Sequence, residues 1–433
     1  MTKHLLAVSP AYFDPHDIAA FLSLKKEGIE TSLLATKNHT PPQGVFAHVI
    51  HAEMHKLIPT IEQVQSLGVK FDGVMQVCFE AASPLVAKLN QIYGGKGNLP
   101  EVAFRCRNKF LMREILNKAG LPFVSSTRCK NFQDIISAVE SLKKPCVAKP
   151  IAAHSSFGTF FIPYPFKQEN FEDIYNKGIE FLKESFNSGE DLYKFSQEDL
   201  AYLSVTDDGD LTTDYVVEEF VSGREISIDS VVQNGKVHVA GIALQTRMEP
   251  PYFVQLAEEM PLVTDVQTMA AIKKVNEDAI NALGITDSCT HCEIFLSPEG
   301  PKVCEIACRM GGDNISDSVL QTGGTNLCLE ASNIALGRPV TVGDKILSYT
   351  AMEYILPKKK GMVKGVIVPE DIKNSKNITE IFIHSCVGDK DFIFAPPPEG
   401  FDYVLYLSSK GSTREEAQAV LREAVAGIQI IYS

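Results

Sequence analysis

The stretch THCEIFLSPEGPKVCEIACRMGGDN, residues 290–314, constrains this chain more than any other. Two β-rich runs flank Ser297-Pro298-Glu299-Gly300-Pro301, a turn composition. A five-residue loop symmetric about Glu299 sets Glu293 directly opposite Glu305. Strand alternation then puts His291, Glu293, Glu305, Ala307 and Arg309 on one face, and Cys292, Ile294, Cys304, Ile306 and Cys308 on the other. Like charges directly across a strand pair repel. A hard divalent cation offsets that repulsion, and Mg²⁺ takes one or two carboxylates while completing its shell with substrate phosphates. The alternative is an exposed sheet face with solvated carboxylates and an ordinary salt bridge to Arg309, and the hairpin alone leaves both open. Cys289-x-x-Cys292 and Cys304-x-x-x-Cys308 imitate zinc knuckles. Their parity separates Cys289 from the other three, and zinc pairs sit on tight turns rather than in strands.

A chain of 433 residues is too long for one core, so two to four packed units sharing a cleft are expected. No uninterrupted apolar stretch reaches the roughly 18 residues that a membrane helix needs. The N-terminus carries no small-residue cleavage site. Ten cysteines without a small-domain framework point to reduced thiols in a cytoplasm. A net charge of −13 without clustered cations argues against nucleic acid. Lys358-Lys359-Lys360, between Pro357 and Gly361, reads as a solvated turn. An acidic chain that binds phosphate must place its few cations well and recruit a metal.

Along the chain, His4–Ser9, Ile29–Ala35 and Phe71–Phe79 read as strands with helices between them, which predicts a doubly wound parallel sheet up to about residue 100. Gly94–Gly97 (GGKG) lacks phosphate-loop order and reads as a connector. NKFLMREILNKA is a helix. CVAKP and FGTFFI are strands joined by the loop IAAHSS. Residues 164–214 form a polar insertion with no recognisable site. YVVEEFV, EISIDSVV and KVHVAGIA follow as strands, a helix spans about 266–282, and the tail combines strands with a final helix. Ser412 and Glu415 are placed to form a capping box at that helix.

Three further features suit a nucleotide. Lys149 ends a strand facing a loop, where it can act as a point charge on phosphate. Lys109 opens its helix. The apolar strand through Glu218, Glu219, Phe220 and Val221 turns at Gly223, and Glu225 lies seven residues beyond Glu218, within reach of ribose hydroxyls. In this order NKFLMREILNKAGLP, VAKP, VVEEFVSGREISID, PPYFVQLAEEMP and HCEIFLSPEGPKVCEIACRMGG resemble the ATP-grasp superfamily, and within it the L-amino-acid ligases and related carboxylate–amine ligases.

The resemblance implies an α/β protein, α+β in its central domain: an ATP-grasp fold with an N-terminal doubly wound parallel sheet domain, a lid and a mixed-sheet catalytic domain. Residues 1–105 would be a Rossmann-like domain and 106–220 a helical linker and lid. Residues 221–345 would be the catalytic core, completed by a strand-rich part at 346–433. It implies an ATP- and Mg²⁺-dependent (or Mn²⁺-dependent) enzyme joining a small carboxylic acid to an amine through an acyl phosphate, with no nucleic-acid or membrane partner and a homodimer as a possible assembly. Lys109, Lys149, His154, Ser155, Ser156 and Gly158 would hold phosphates. The backbone of Glu219 and Val221 would read adenine beside Glu218 and Phe220, and Glu225 would take the ribose. Glu293 and Glu305 would hold the metal, while Arg309 and Gly312 would hold the acyl phosphate and oxyanion, with His291 in support. Gln245, Arg247, Glu249, Tyr252 and Phe253 are expected to set specificity. Ala307 stands where many relatives carry Asn, which leaves a second Mg²⁺ open, and the loop IAAHSSFG offers only one glycine. A carboxylase, a purine-pathway ligase and a non-catalytic nucleotide-binding module are the competing expectations. A dinucleotide oxidoreductase fails because PAYFDPHD after the first strand has no glycine.

Overall fold

The computed structural model describes residues 2–9, 13–36, 40–122, 124–153, 156, 158–188, 194–207, 209–211, 213–397 and 399–433. His154 and Ser155 therefore lie outside the described residues. Four parallel strands open the chain: β1 (His4–Ser9), β2 (Glu30–Ala35), β3 (Val49–His51) and β4 (Gly73–Gln76), in the order β3-β2-β1-β4. All six residues of central β1 are buried, as a parallel strand covered on both faces requires.

A second, antiparallel sheet of order β5-β8-β6-β7 joins β5 (Ser126–Cys129), β6 (Cys146–Pro150), β7 (Phe160–Ile162) and β8 (Tyr215–Glu219). The expected insertion folds between β7 and β8, with helices at Glu172–Ser188 and Gln197–Tyr202.

The largest sheet takes β9 (Arg224–Gln233), β10 (Lys236–Arg247), β11 (Gln255–Met260), β12 (Ser288–Ser297), β13 (Gly300–Ala307), β14 (Tyr349–Ile355), β16 (Ile378–Ile383) and β17 (Leu405–Gly411), in the order β13-β12-β9-β10-β11-β14-β17-β16. Between β14 and β16, β15 (Val363–Ile367) pairs separately with the terminal β18 (Gln429–Tyr432). Every pairing in the eight-stranded sheet is antiparallel, which corrects the mixed sheet expected there. The hairpins β9–β10 and β12–β13 reverse the chain, and the helix Val266–Leu283 returns it so that β12 runs against β9.

This sheet has two chemically distinct faces. Ile226, Ile228, Ile242, Cys292, Ile294, Val303 and Ile306 pack with Ile272, Ala279, Ile280 and Leu283 of the helix Val266–Leu283 and with Met112 and Leu116 of the helix Lys109–Lys118. Glu225, Ser227 and Asp229 of β9, with His291 and Glu293 of β12 and Glu305 of β13, point the other way. The final helix Arg414–Gly427 is capped by Thr413, whose side chain accepts from Glu416 N–H. That corrects the expected box of Ser412 with Glu415. Ser412 lies one residue outside the cap and donates its own N–H to the Glu416 carboxylate.

Candidate functional site

The hairpin places Glu293 directly opposite Glu305, as the sequence predicts, but by a different route. Ser297 pairs with Gly300, so the turn is two residues long, and a bulge lies beyond Glu293. Cys304 is the extra residue. A bulge turns its two residues towards one side, so parity reverses across it. Val303 therefore takes the apolar position opposite Ile294. Cys304, expected in the core, sits with its Sγ 3.5 Å from Lys149 Nζ, on the side of the carboxylates. The zinc reading fails on the same geometry: Cys292 and Cys308 belong to one apolar cluster and Cys289 to another. All ten cysteines are free.

Both carboxylates are half-buried, at 23% exposure for Glu293 and 20% for Glu305. Each holds a cation: Lys109 Nζ is 2.9 Å from Glu305, and Arg247 Nη2 is 3.1 Å from Glu293. Burial raises both acids. For Glu293, Arg247, His291, Lys149 and Lys109 together outweigh burial and hold the carboxyl below its ordinary value, whereas Glu305 stays raised despite Lys109. The alternative of an exposed face with solvated carboxylates and a salt bridge to Arg309 is therefore not what forms here, since Arg309 pairs with Glu80.

The expected phosphate lysines converge. Lys149 Nζ lies 3.0 Å from Glu218, and Arg113, four residues after Lys109 on the same helix, binds the other oxygen of Glu218 at 2.9 Å. Burial pushes the Glu218 carboxyl up, but Arg113 and Lys149 hold it down at about 2. Lys144 takes the Glu219 carboxylate at 2.8 Å. The N–H groups of Glu219 and Phe220 donate to Ser125 and Pro145 carbonyls, fixing the strand end where adenine contacts are expected. The Phe220 ring meets Phe161 at 5.2 Å and Phe253 at 6.4 Å, an apolar wall beside that edge. Ser156 reaches Arg247 at 3.5 Å. Gly158 has φ +68°, and a Cβ there would lie 2.9 Å from Pro150 and 3.1 Å from the Tyr215 hydroxyl, so only glycine fits that bend.

Glu225 is not free for a sugar hydroxyl in this structure. It pairs with Arg247 Nη2 at 2.7 Å, and burial raises its carboxyl to about 7. Arg247 thus bridges the expected ribose and metal carboxylates. Arg309 pairs with Glu80 at 3.2 Å and donates to the Met310 carbonyl. His291 Nδ1 lies 3.2 Å from Asp229, which also accepts the Gly311 N–H at 2.9 Å. A Cβ on Gly311 would come within 2.5 Å of Ile315, so the chain can pass only as glycine.

The sequence reading missed Arg113, Glu80, Asp229 and Glu258. Arg113 was legible as the residue one helical turn beyond Lys109, and Asp229 as the same-face residue four beyond Glu225. Glu258 is 2% exposed, and neither of its carboxylate oxygens finds a hydrogen bond among the described residues. Burial first, then Asp229, raises its carboxyl to about 8. The folded state therefore holds a proton there that the unfolded chain loses near pH 4.5, and the contribution to stability falls as pH rises towards 8. Glu258→Gln is expected to raise the unfolding temperature at pH 8 by several degrees and to change it little at pH 4.5, as differential scanning calorimetry would read.

Residues 142–317 match the family described as ATP-grasp domain, and residues 353–433 match the one described as L-amino acid ligase C-terminal domain 2. The fold and the cleft thus define an ATP-grasp ligase. Alanine–anticapsin ligase of Bacillus subtilis (strain 168) is 22% identical over 368 residues, covering 78% of this chain and 73% of that protein. The crystal structure of an L-amino acid ligase from Bacillus licheniformis superposes with TM-score 0.77 at 21% identity, covering 100% and 99% of the two chains. That of phosphoribosylglycinamide synthetase from Anaerococcus prevotii gives 0.69 at 17%, covering 100% of both. Residues 142–317 thus carry an ATP-grasp domain, and residues 353–433 carry the C-terminal domain of the L-amino acid ligases. ATP with Mg²⁺ is the cofactor pair of the ATP-grasp superfamily, and the substrates of its ligases are small molecules. No helix among the described residues is long and apolar enough to cross a membrane.

Proposed function

We propose that this chain activates a carboxylic acid, most readily an amino acid, as an acyl phosphate and joins it to an amine, with release of ADP and phosphate. The observation that carries this reading is the meeting of Glu293 and Glu305 in one register pair with Lys109, Lys149, Arg247 and Arg309 around the same cleft. A pair of carboxylates with only oxygen donors fits Mg²⁺, or Mn²⁺, which when bound neutralises phosphate charge. Lys109 and Arg247, which neutralise the two acids here, would turn to phosphate oxygens. Arg247 stands between Glu225 and Glu293, so it suits the polyphosphate chain lying between ribose and metal.

In this reading Lys149, Ser156, Gly158 and, outside the described residues, His154 and Ser155 cover the phosphates. The Glu218–Val221 edge takes adenine and Glu225 the ribose. Arg309 and the backbone at Gly312, beside the N-terminus of the helix Ile315–Gly323, steady the acyl phosphate and the oxyanion formed on amine attack. His291, held by Asp229, positions rather than transfers a proton. Residues 1–105 form the first domain, 106–220 the linker and lid, 221–345 the core and 346–433 its completion. The lid excludes water, which would otherwise hydrolyse the acyl phosphate. A cytoplasmic homodimer that binds neither nucleic acid nor membrane is the setting this reading expects.

A phosphate-release screen with ATP, Mg²⁺ and paired amino acids tests it. ADP and phosphate formed only when both partners are present is the expected result. Turnover that needs bicarbonate would establish a carboxylase instead, and ATP binding without turnover for any pair would leave a nucleotide-binding module.

A further inference from the structure

The face that bears the proposed metal carboxylates does not end with them. Register carries Glu225 through Gln245 to Glu258, then through Met352 and Ser408 to Glu380. At about 4.8 Å per strand, Glu258 stands roughly 10 Å from Glu225 across the sheet. Neither oxygen of Glu258 is hydrogen-bonded among the described residues, and one oxygen of Glu380 is likewise open. The other oxygen of Glu380 accepts from the Tyr406 hydroxyl at 2.9 Å, and Asp313 accepts from the Tyr354 hydroxyl at 2.5 Å. Neither Glu258 nor Glu380 forms an ion pair among the described residues. Burial raises both of their carboxyls to about 8. Tyr354, Tyr403 and Tyr406 form a ring cluster beside these acids, with centroids 5.1, 5.6 and 5.8 Å apart.

A buried carboxylate without a partner is costly, and a cation satisfies it. Tyrosine faces attract the same kind of group. The attacking amine must be uncharged, whereas carboxylates favour its charged form, so the cation held here does not react. An amino acid brings one such ammonium, and one carboxylate suffices for it. Once a bound cation displaces the protons that Glu258 and Glu380 otherwise hold, these two with Asp313 offer more negative charge than that. Asp313 also follows Gly312 directly, which puts this one acid beside the backbone proposed to hold the acyl phosphate.

We propose that one of the two substrates is a basic amino acid whose side-chain ammonium or guanidinium binds between Glu258, Asp313 and Glu380 beside Tyr354, Tyr403 and Tyr406. This rests on the ligase reading above, whose site it extends.

Uncharged isosteres test it: lysine against norleucine and arginine against citrulline, each paired with a panel of amino acids in the phosphate-release assay. At least about a tenfold preference in kcat/KM for the cationic member is expected, because its neutral partner leaves a buried acid unsatisfied. Glu258→Gln is expected to cut that preference to within threefold. Calorimetric titration of lysine and norleucine onto the wild-type chain with ADP and Mg²⁺ gives a readout that needs neither turnover nor the variant. Norleucine binding or reacting as well as lysine overturns the inference. Absence of ADP and phosphate from every pair, with lysine still bound at least tenfold more tightly, would overturn the ligase reading and leave the cation subsite standing.

Discussion

Arg309→Ala is expected to lower turnover by about 10²–10³ while leaving the KM for ATP within a few-fold. Arg309 is 15% exposed, fixed by Glu80 and by the Met310 carbonyl, and its guanidinium stays charged against the cost of burial, with the Glu80 and Glu305 carboxylates beside it. A donor fixed in advance costs no reorganisation when charge develops on the reacting oxygen, and that fixing is where the rate comes from. Arg309→Lys keeps the charge and loses the planar fork, so it should recover only part of the loss. Steady-state phosphate release gives kcat, and the ATP titration gives KM. Turnover of the alanine variant within threefold of wild type would remove Arg309 from the reaction. An equal fall in ATP affinity would move its role to nucleotide binding.

How the sequence exposed this site follows from what alternation can and cannot encode. Glu293 and Glu305 could be paired because side chains alternate strictly in a strand and the turn residues marked the centre of the hairpin. The same logic misplaced Cys304, since a one-residue bulge reverses parity and leaves no mark in composition. The first parallel sheet was legible from apolar runs separated by helices. The antiparallel order of the large sheet was not, because strand direction depends on which neighbour each returning strand finds. Lys109 and Lys149 stood out as cations at element ends. Glu80 could not, because its contact with Arg309 joins residues 229 positions apart. Glu258 stayed hidden for a related reason. Glu258 and Glu259 are adjacent and chemically alike. Only the register shows that Glu258 faces the cleft while Glu259 turns to Arg414.

Replacing Arg113 with Met is expected to cost about 3–5 kcal/mol of stability, the largest loss available at a single residue of this site. Its side chain is 4% exposed and that of Glu218 6%, so removing the cation strands a buried anion. Arg113 also donates to the carbonyls of Val303 at 2.9 Å and Cys304 at 3.2 Å. Those are the carbonyls of the bulge, so the same side chain holds the parity reversal that brings Cys304 and Glu305 to the cleft. The pH dependence gives an independent scale. Glu218 titrates at about 2 when folded against an ordinary 4.5, and at about 1.4 kcal/mol per unit this is roughly 3 kcal/mol. A lowered carboxyl contributes fully above the unfolded value and is lost as pH falls from 4.5 towards 2. Wild-type stability should therefore fall through that window. Arg113→Met should be weaker at pH 7 and lose less on acidification. Urea unfolding at pH 7 and at pH 3 measures both. A variant within 1 kcal/mol of wild type at pH 7 would mean that Lys149 alone suffices for Glu218 and that the bulge holds its shape without Arg113.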